Sequence, residues 1–250
     1  MKISRATTAS SLCCLVAVTT ILLAHGFASA KVSPTIKALV LEQEHVYLGK
    51  LKVMLTPTAV RMDGLGKFHF SVLLKAPNWN VTAFRTDDRL IVTQSFQEFC
   101  DQGLFSNMVL QLKERTIPRG GKLIQRKINS FPVDQVQYGN VTYQGMKYKD
   151  YAAPQAEQFL YYAYKVPTAG RLPIGYKMIL TGKDWMTQLS EEGQRRVLLS
   201  TSKISYVPVP VTDFEVPTGL TPSKSVTRII VGDAKKMKKT GVDVLFEFDK

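Results

Sequence analysis

The chain has 250 residues, with 33 Lys and Arg against 20 Asp and Glu, for a formal net charge of +13. That length is ample for a self-sufficient core, and the positive excess implies an anionic neighbour such as lipid headgroups, cell-wall polymer or an acidic protein. Beyond the first thirty residues no run of 18 apolar residues occurs, which excludes a further helical membrane span.

The N-terminus reads as a secretory signal peptide. Lys2 and Arg5 form a short positive region, an apolar run extends from Leu12 to Ala24, and Ala28-Ser29-Ala30 offers small residues before Lys31. The apolar run is too short for a membrane anchor, which needs about 20 such residues. Cleavage after Ala30 is expected, leaving a single β-rich domain over residues 31–250 that works in a periplasm or outside the cell. Lys2 and Arg5 are the only charges removed, so the remainder carries 31 basic and 20 acidic residues, a net +11. Export also argues against a nucleic-acid partner. Cys13 and Cys14 leave with the leader, and Cys100 alone remains. One thiol allows no internal disulfide, so the domain depends on its apolar core, with Cys100 expected as a buried small side chain.

Strand patterning follows in chain order. Leu39–Tyr47 is extended, although Ser33-Pro34 also suits a helix start running to Glu44. Leu51, Val53 and Leu55 share a face, and Val60 and Met62 continue it beyond Pro57. Between Lys67 and Lys75 the period is two: Phe68, Phe70, Val72 and Leu74 point one way, His69 and Ser71 the other, with Leu73 the exception. Asp87-Asp88 separates Asn80–Arg85 from Leu90–Thr93 as a tight hairpin. Further strands are expected at Lys122–Ile128, Val141–Tyr148, Ile174–Leu180, Val197–Val207 and Thr227–Val231, and another over Val242–Phe248. Pro208 and Pro210 mark an extended edge segment. Helical spacing appears from Gln155 to Tyr164 behind Pro154, in a short stretch after Asp184, and less clearly over Asp101–Leu112. Short connections predict an antiparallel sheet.

Chemical motifs are sparse. No nucleophile elbow, zinc-protease signature or phosphate-binding glycine loop is present, so neither a catalytic residue nor a metal or cofactor is assigned. His45 is expected at the surface of a strand end, and His69 on the polar side of its strand. Asn80-Val81-Thr82 and Asn140-Val141-Thr142 match glycosylation sequons. The run Lys235-Lys236-Met237-Lys238-Lys239 reads as a solvated hairpin loop, or as a loop that leans on an anionic membrane surface or acidic partner.

Several segments, in order, resemble one family. Gly49-Lys50-Leu51 through Val60-Arg61-Met62-Asp63 looks like a strand pair carrying an arginine, and Thr86-Asp87-Asp88-Arg89-Leu90-Ile91-Val92 like its following turn and strand. Leu172-Pro173-Ile174 fits as well, and Val211-Thr212-Asp213-Phe214-Glu215-Val216-Pro217-Thr218-Gly219 resembles a strand closing on Phe-x-x-Pro-x-Gly. Together they are similar to the superfamily of periplasmic outer-membrane lipoprotein carriers. The resemblance implies a single curved antiparallel sheet, an open half-barrel, with a few short helices against its concave face. It further implies an apolar cavity for an acyl chain, gated by an arginine that maps to Arg61. Period two then assigns Val60, Met62, Phe68, Phe70, Val72 and Leu74 to the cavity lining. The chain is longer than a compact carrier, with extra residues around Ser95–Ile117 and Ala152–Gly170.

Three functional classes remain open on the sequence: a non-enzymatic protein binding a lipid or lipidated partner, an envelope structural or interaction protein with a filled β core, and an exported hydrolase. Fold-level likeness does not choose among them.

Overall fold

The computed structural model describes residues 34–66, 68–104, 121–180 and 192–232. The signal peptide, the helix expected after Asp184, the lysine run at 235–239 and the strand expected over Val242–Phe248 lie outside the described residues. So does most of Asp101–Leu112.

The first six strands form a meander: β1 (Thr35–His45), β2 (Gly49–Leu55), β3 (Ala59–Gly64), β4 (Ser71–Lys75), β5 (Val81–Arg85) and β6 (Leu90–Gln94). After helix α1 (Phe96–Gln102) come β7 (Lys122–Ile128), β8 (Phe131–Tyr138) and β9 (Val141–Met146). Helix α2 (Pro154–Tyr164), β10 (Leu172–Ile179), β11 (Arg195–Pro210), a 3-10 turn (Val211–Phe214), β12 (Thr221–Pro222) and helix α3 (Val226–Val231) follow. All strands join one open sheet in the order β12-β6-β5-β4-β3-β2-β1-β11-β10-β9-β8-β7. Every pairing is antiparallel except the short one between β12 and β6. The architecture is the mainly β, open-sheet fold with a few short helices that the strand pattern and the family resemblance suggest.

Register turns the period-two pattern into continuous apolar rows. Leu39, Leu55, Val60, Leu74 and Val81 stand opposite one another across five strands, and Leu41, Val53, Met62, Val72, Ala83 and Val92 form the next row. Both rows enter the main core, together with Phe99 of α1, five residues of α2 and Ile229, Ile230 and Val231 of α3. The helices therefore cover this face, α2 over β10 and α3 over β5 and β6. The opposite, outer face carries a second core of Ala38, Val40, Met54, Ala59, Leu73, Phe84 and Val209, closed by Phe214 with Val216 and Leu220 beside it. Leu73, the exception to the alternation, is thus buried on the other side.

Several local expectations change. Thr227–Val231 forms the last five residues of α3 rather than a strand. The Ser225 hydroxyl accepts from Arg228 N and caps the helix, and Ile229, Ile230 and Val231 are buried as it packs on β5 and β6. The segment Val211–Gly219 is a 3-10 turn and an irregular cover rather than a strand. The helix after β6 starts early, at Phe96, because Ser95 and Glu98 form a reciprocal capping box, and it ends at Gly103. Strand β8, unforeseen, hides its period behind Pro132, Asp134 and three Gln and Tyr positions. The helix expected to run to Glu44 is not formed: β1 begins at Thr35, directly after Pro34. Pro208 and Pro210 pair with Lys37 and Thr35 of β1. β10 reaches only Arg195–Leu199, so the proline end of β11 has an unpaired side where a missing N–H is harmless.

Candidate functional site

The six residues assigned to a cavity lining share the helix-covered face, and all are 0–4% exposed. Val60, Met62, Val72 and Leu74 belong to the two apolar rows. Phe68 and Phe70 precede β4 and reach the same core because Gly64 has no side chain: a Cβ there would collide with the Phe68 carbonyl oxygen and the Phe70 ring. Above them Phe99 and Phe159 stack with ring centroids 5.2 Å apart, joining α1 to α2.

Arg61 does not border that face. It stands in the outer row between Met54 and Leu73. Its Nε donates to Asp63 Oδ1 at 2.8 Å, its Nη1 donates to the Asp213 carbonyl at 2.5 Å, and its guanidinium lies 5.8 Å from the Phe84 ring centroid. The assignment of Arg61 as a gate is corrected: between Val60 and Met62, alternation obliges it to point away from them. Arg61 instead fastens the 211–220 cover to the outer face.

The arginine on the core side is Arg85, which follows Val81 and Ala83 on their face and is 3% exposed. Its Nη1 donates to the carbonyls of Ile229 at 3.2 Å and Ile230 at 3.3 Å, near the C-terminal end of α3. Nε pairs with Asp87 Oδ1 at 2.8 Å and Asp88 Oδ2 at 3.1 Å. A buried guanidinium is tolerable only with its donors satisfied. Two aspartates and the carbonyl-rich end of a helix do so here. The Asp87-Asp88 turn therefore neutralises Arg85 as well as reversing the chain. The strand period alone would have put Arg85 on the apolar face.

Under α2 a buried polar cluster interrupts the apolar core. Gln43, at the register shift between β1 and β11, donates to the Pro173 carbonyl and to Thr201 Oγ1, both at 2.9 Å, and accepts from the Tyr164 hydroxyl at 2.6 Å. Thr201 donates onward to the Ile174 carbonyl. Burial raises the Tyr164 phenol, so it stays a neutral donor. His45, expected at the surface, is 1% exposed and stacks on Tyr164 with centroids 5.3 Å apart. Its Nδ1 accepts from the Tyr47 and Leu48 amides, which places the proton on Nε2, facing the Tyr164 carbonyl at 3.1 Å. Burial lowers its pKa to about 4, against the smaller opposing effect of that carbonyl. Nearby, Tyr143 donates to the Thr168 carbonyl, and the Thr168 hydroxyl donates to Glu157. Cys100, on α1, is partly rather than fully buried.

His69 is exposed and borders a surface groove of about 320 Å³ with Asp63, Ser71, Arg85 and Asp87. The Ser71 hydroxyl donates to Asp63 Oδ1 at 2.6 Å, on a carboxylate that also pairs with Arg61. Among the described residues no three His, Cys, Asp or Glu side chains form a group able to hold a metal ion, and no helix is long and apolar enough to cross a membrane. Lys235, Lys236, Lys238 and Lys239 lie outside the described residues. No protein-family model matches the chain, and no curated protein is significantly similar to it.

Proposed function

We propose that this chain is an exported, non-enzymatic protein that binds a lipid, an acyl chain or a lipidated partner on the helix-covered face of its sheet. The observation that carries the reading is the way this face is closed. Apolar rows five and six strands wide are covered over β5 and β6 by α3, a helix of six residues, secured to the sheet by the hydrogen bonds of Arg85. A helix this short has little stability apart from its packing, so it can leave the sheet more cheaply than a second sheet layer could. Its departure exposes Ala83 of β5, Val92 of β6 and their neighbours as a continuous apolar surface suited to an acyl chain.

The test is native mass spectrometry of the exported protein for co-purified lipid, beside binding of a fluorescent fatty acid and thermal unfolding of Val72→Glu. A bound amphiphile in the parent, with Val72→Glu folded but unable to bind, supports the carrier. A parent without amphiphile and a Val72→Glu protein that unfolds, as an unpaired charge in a filled core should by several kcal/mol, rejects it. That second outcome is the signature of an envelope structural protein, the reading favoured by the 0–4% exposure of the six core residues.

A further inference from the structure

We infer that the outer face of the β7–β11 half is a docking surface for an anionic phospholipid membrane, with a lipid phosphate seated among Arg126, Lys177 and Arg195. These three residues come from β7, β10 and β11 and border one groove of about 380 Å³. Register aligns Gln137, Thr142, Lys177 and Val197 across four strands, with Arg195 facing Ile179 in the adjoining row, and Arg126, opposite Val133 farther along β7, borders the same groove from its other end. The groove has no carboxylate in its lining, and none of the three cations has an ion-pair partner among the described residues. Gln135, Gln137 and Thr142 add amide and hydroxyl donors between the charges. Like charges bordering one groove repel one another, and a bound phosphate relieves that repulsion while accepting from the amides.

A membrane fits this face better than a soluble polyanion because the same surface exposes apolar side chains. Ile179 is 40% and Val197 42% exposed, each paired across the strands with one of the cations. Cations with apolar neighbours on one surface gain from both the anionic headgroups and the interfacial region of a bilayer, whereas a soluble anion rewards only the charges. The docking stands apart from the carrier reading. A filled core does not oppose it, and vesicle binding does not require acyl-chain uptake.

The experiment is co-sedimentation of the exported protein with vesicles of phosphatidylcholine alone or mixed with phosphatidylglycerol, with inositol hexakisphosphate as the soluble probe. The parent should bind the mixed vesicles, bind phosphatidylcholine far less, and release as salt rises. Replacing the three cations by glutamine (Arg126→Gln, Lys177→Gln, Arg195→Gln) should weaken vesicle binding by about 100-fold, from a several-fold share per cation. The exposed control set Lys37→Gln, Lys50→Gln and Lys149→Gln removes the same charge elsewhere and should change it much less. Ile179→Ser with Val197→Ser should weaken vesicle binding but leave the soluble probe unaffected. Unfolding temperatures of all variants should match the parent, since the altered side chains are exposed. Absent or salt-insensitive binding by the parent, equal losses in the two glutamine sets, or full binding by the groove set would overturn the proposal. Binding of the soluble probe without vesicle binding would replace the membrane by a soluble polyanion and overturn it as stated.

Discussion

The two halves of this sheet are closed by different physics. From β2 to β6 the helix-covered face is almost wholly apolar, and its cover is held by one buried cation, Arg85. Around β1 and β9 to β11 the cover is α2, tied down by the chain Tyr164–Gln43–Thr201–Ile174 and by His45 and Thr168. Hydrophobic packing is non-directional and tolerates a shift in the cover. A buried hydrogen-bond network specifies one arrangement, because every partner left unmade costs free energy. The contrast is that several polar partners specify the α2 side, whereas Arg85 alone specifies the α3 side.

Breaking the comparison at Arg85 should have the largest effect. Arg85→Ala removes the partner of two aspartates and two α3 carbonyls, for a loss of about 3–5 kcal/mol by analogy with broken buried pairs. Amide exchange should rise at Ile229–Val231 well before it rises in β10. Equal acceleration in both places would mean that α3 is as integral as α2.

Acid should attack the α2 side. The folded pKa of His45, about 4, lies below its unfolded value of 6.5, so between those limits the unfolded chain binds more protons than the folded one. The stability contributed by neutral His45 is complete above pH 6.5, falls as pH drops through the window, and levels off below pH 4. The loss is roughly 3 kcal/mol. Denaturant unfolding across this range should show that slope in the parent and a flatter one in His45→Gln.

Gln43→Ala sharpens the same point at smaller cost. It strands the Tyr164 hydroxyl and the Pro173 carbonyl, and should destabilise by about 1–3 kcal/mol, visible as a lower denaturant midpoint. Smallest of all is Arg61→Ala on the outer face. Its pair with Asp63 is partly solvated, with side chains 20% and 15% exposed, so about 1 kcal/mol is expected. The signature should be protease sensitivity near Asp213 rather than a general loss of stability.

Much of the strand set was legible because a half-buried strand must alternate, and the rows through Val60, Met62, Val72 and Leu74 state that requirement in one dimension. Arg61 was misplaced because the family resemblance was set above alternation, which sends it outward, and Arg85 went unremarked although the same rule sends it into the core. Pro154 at the first turn of α2 marked that helix for the same local reason. Hidden were the features that depend on a partner far along the chain. The β-branched run Val226–Val231 has the composition of a strand, and it is helical because Ser225 caps it and β5 and β6 bury it. His45 looked like a surface residue until Tyr164, 119 positions away, closed over it. Arg126, Lys177 and Arg195 share no local motif and become one groove only when β7 to β11 align. Period and capping are local and belong to the sequence itself. Burial of a polar group and convergence of like charges are properties of distant segments brought together, and only the tertiary structure decided them.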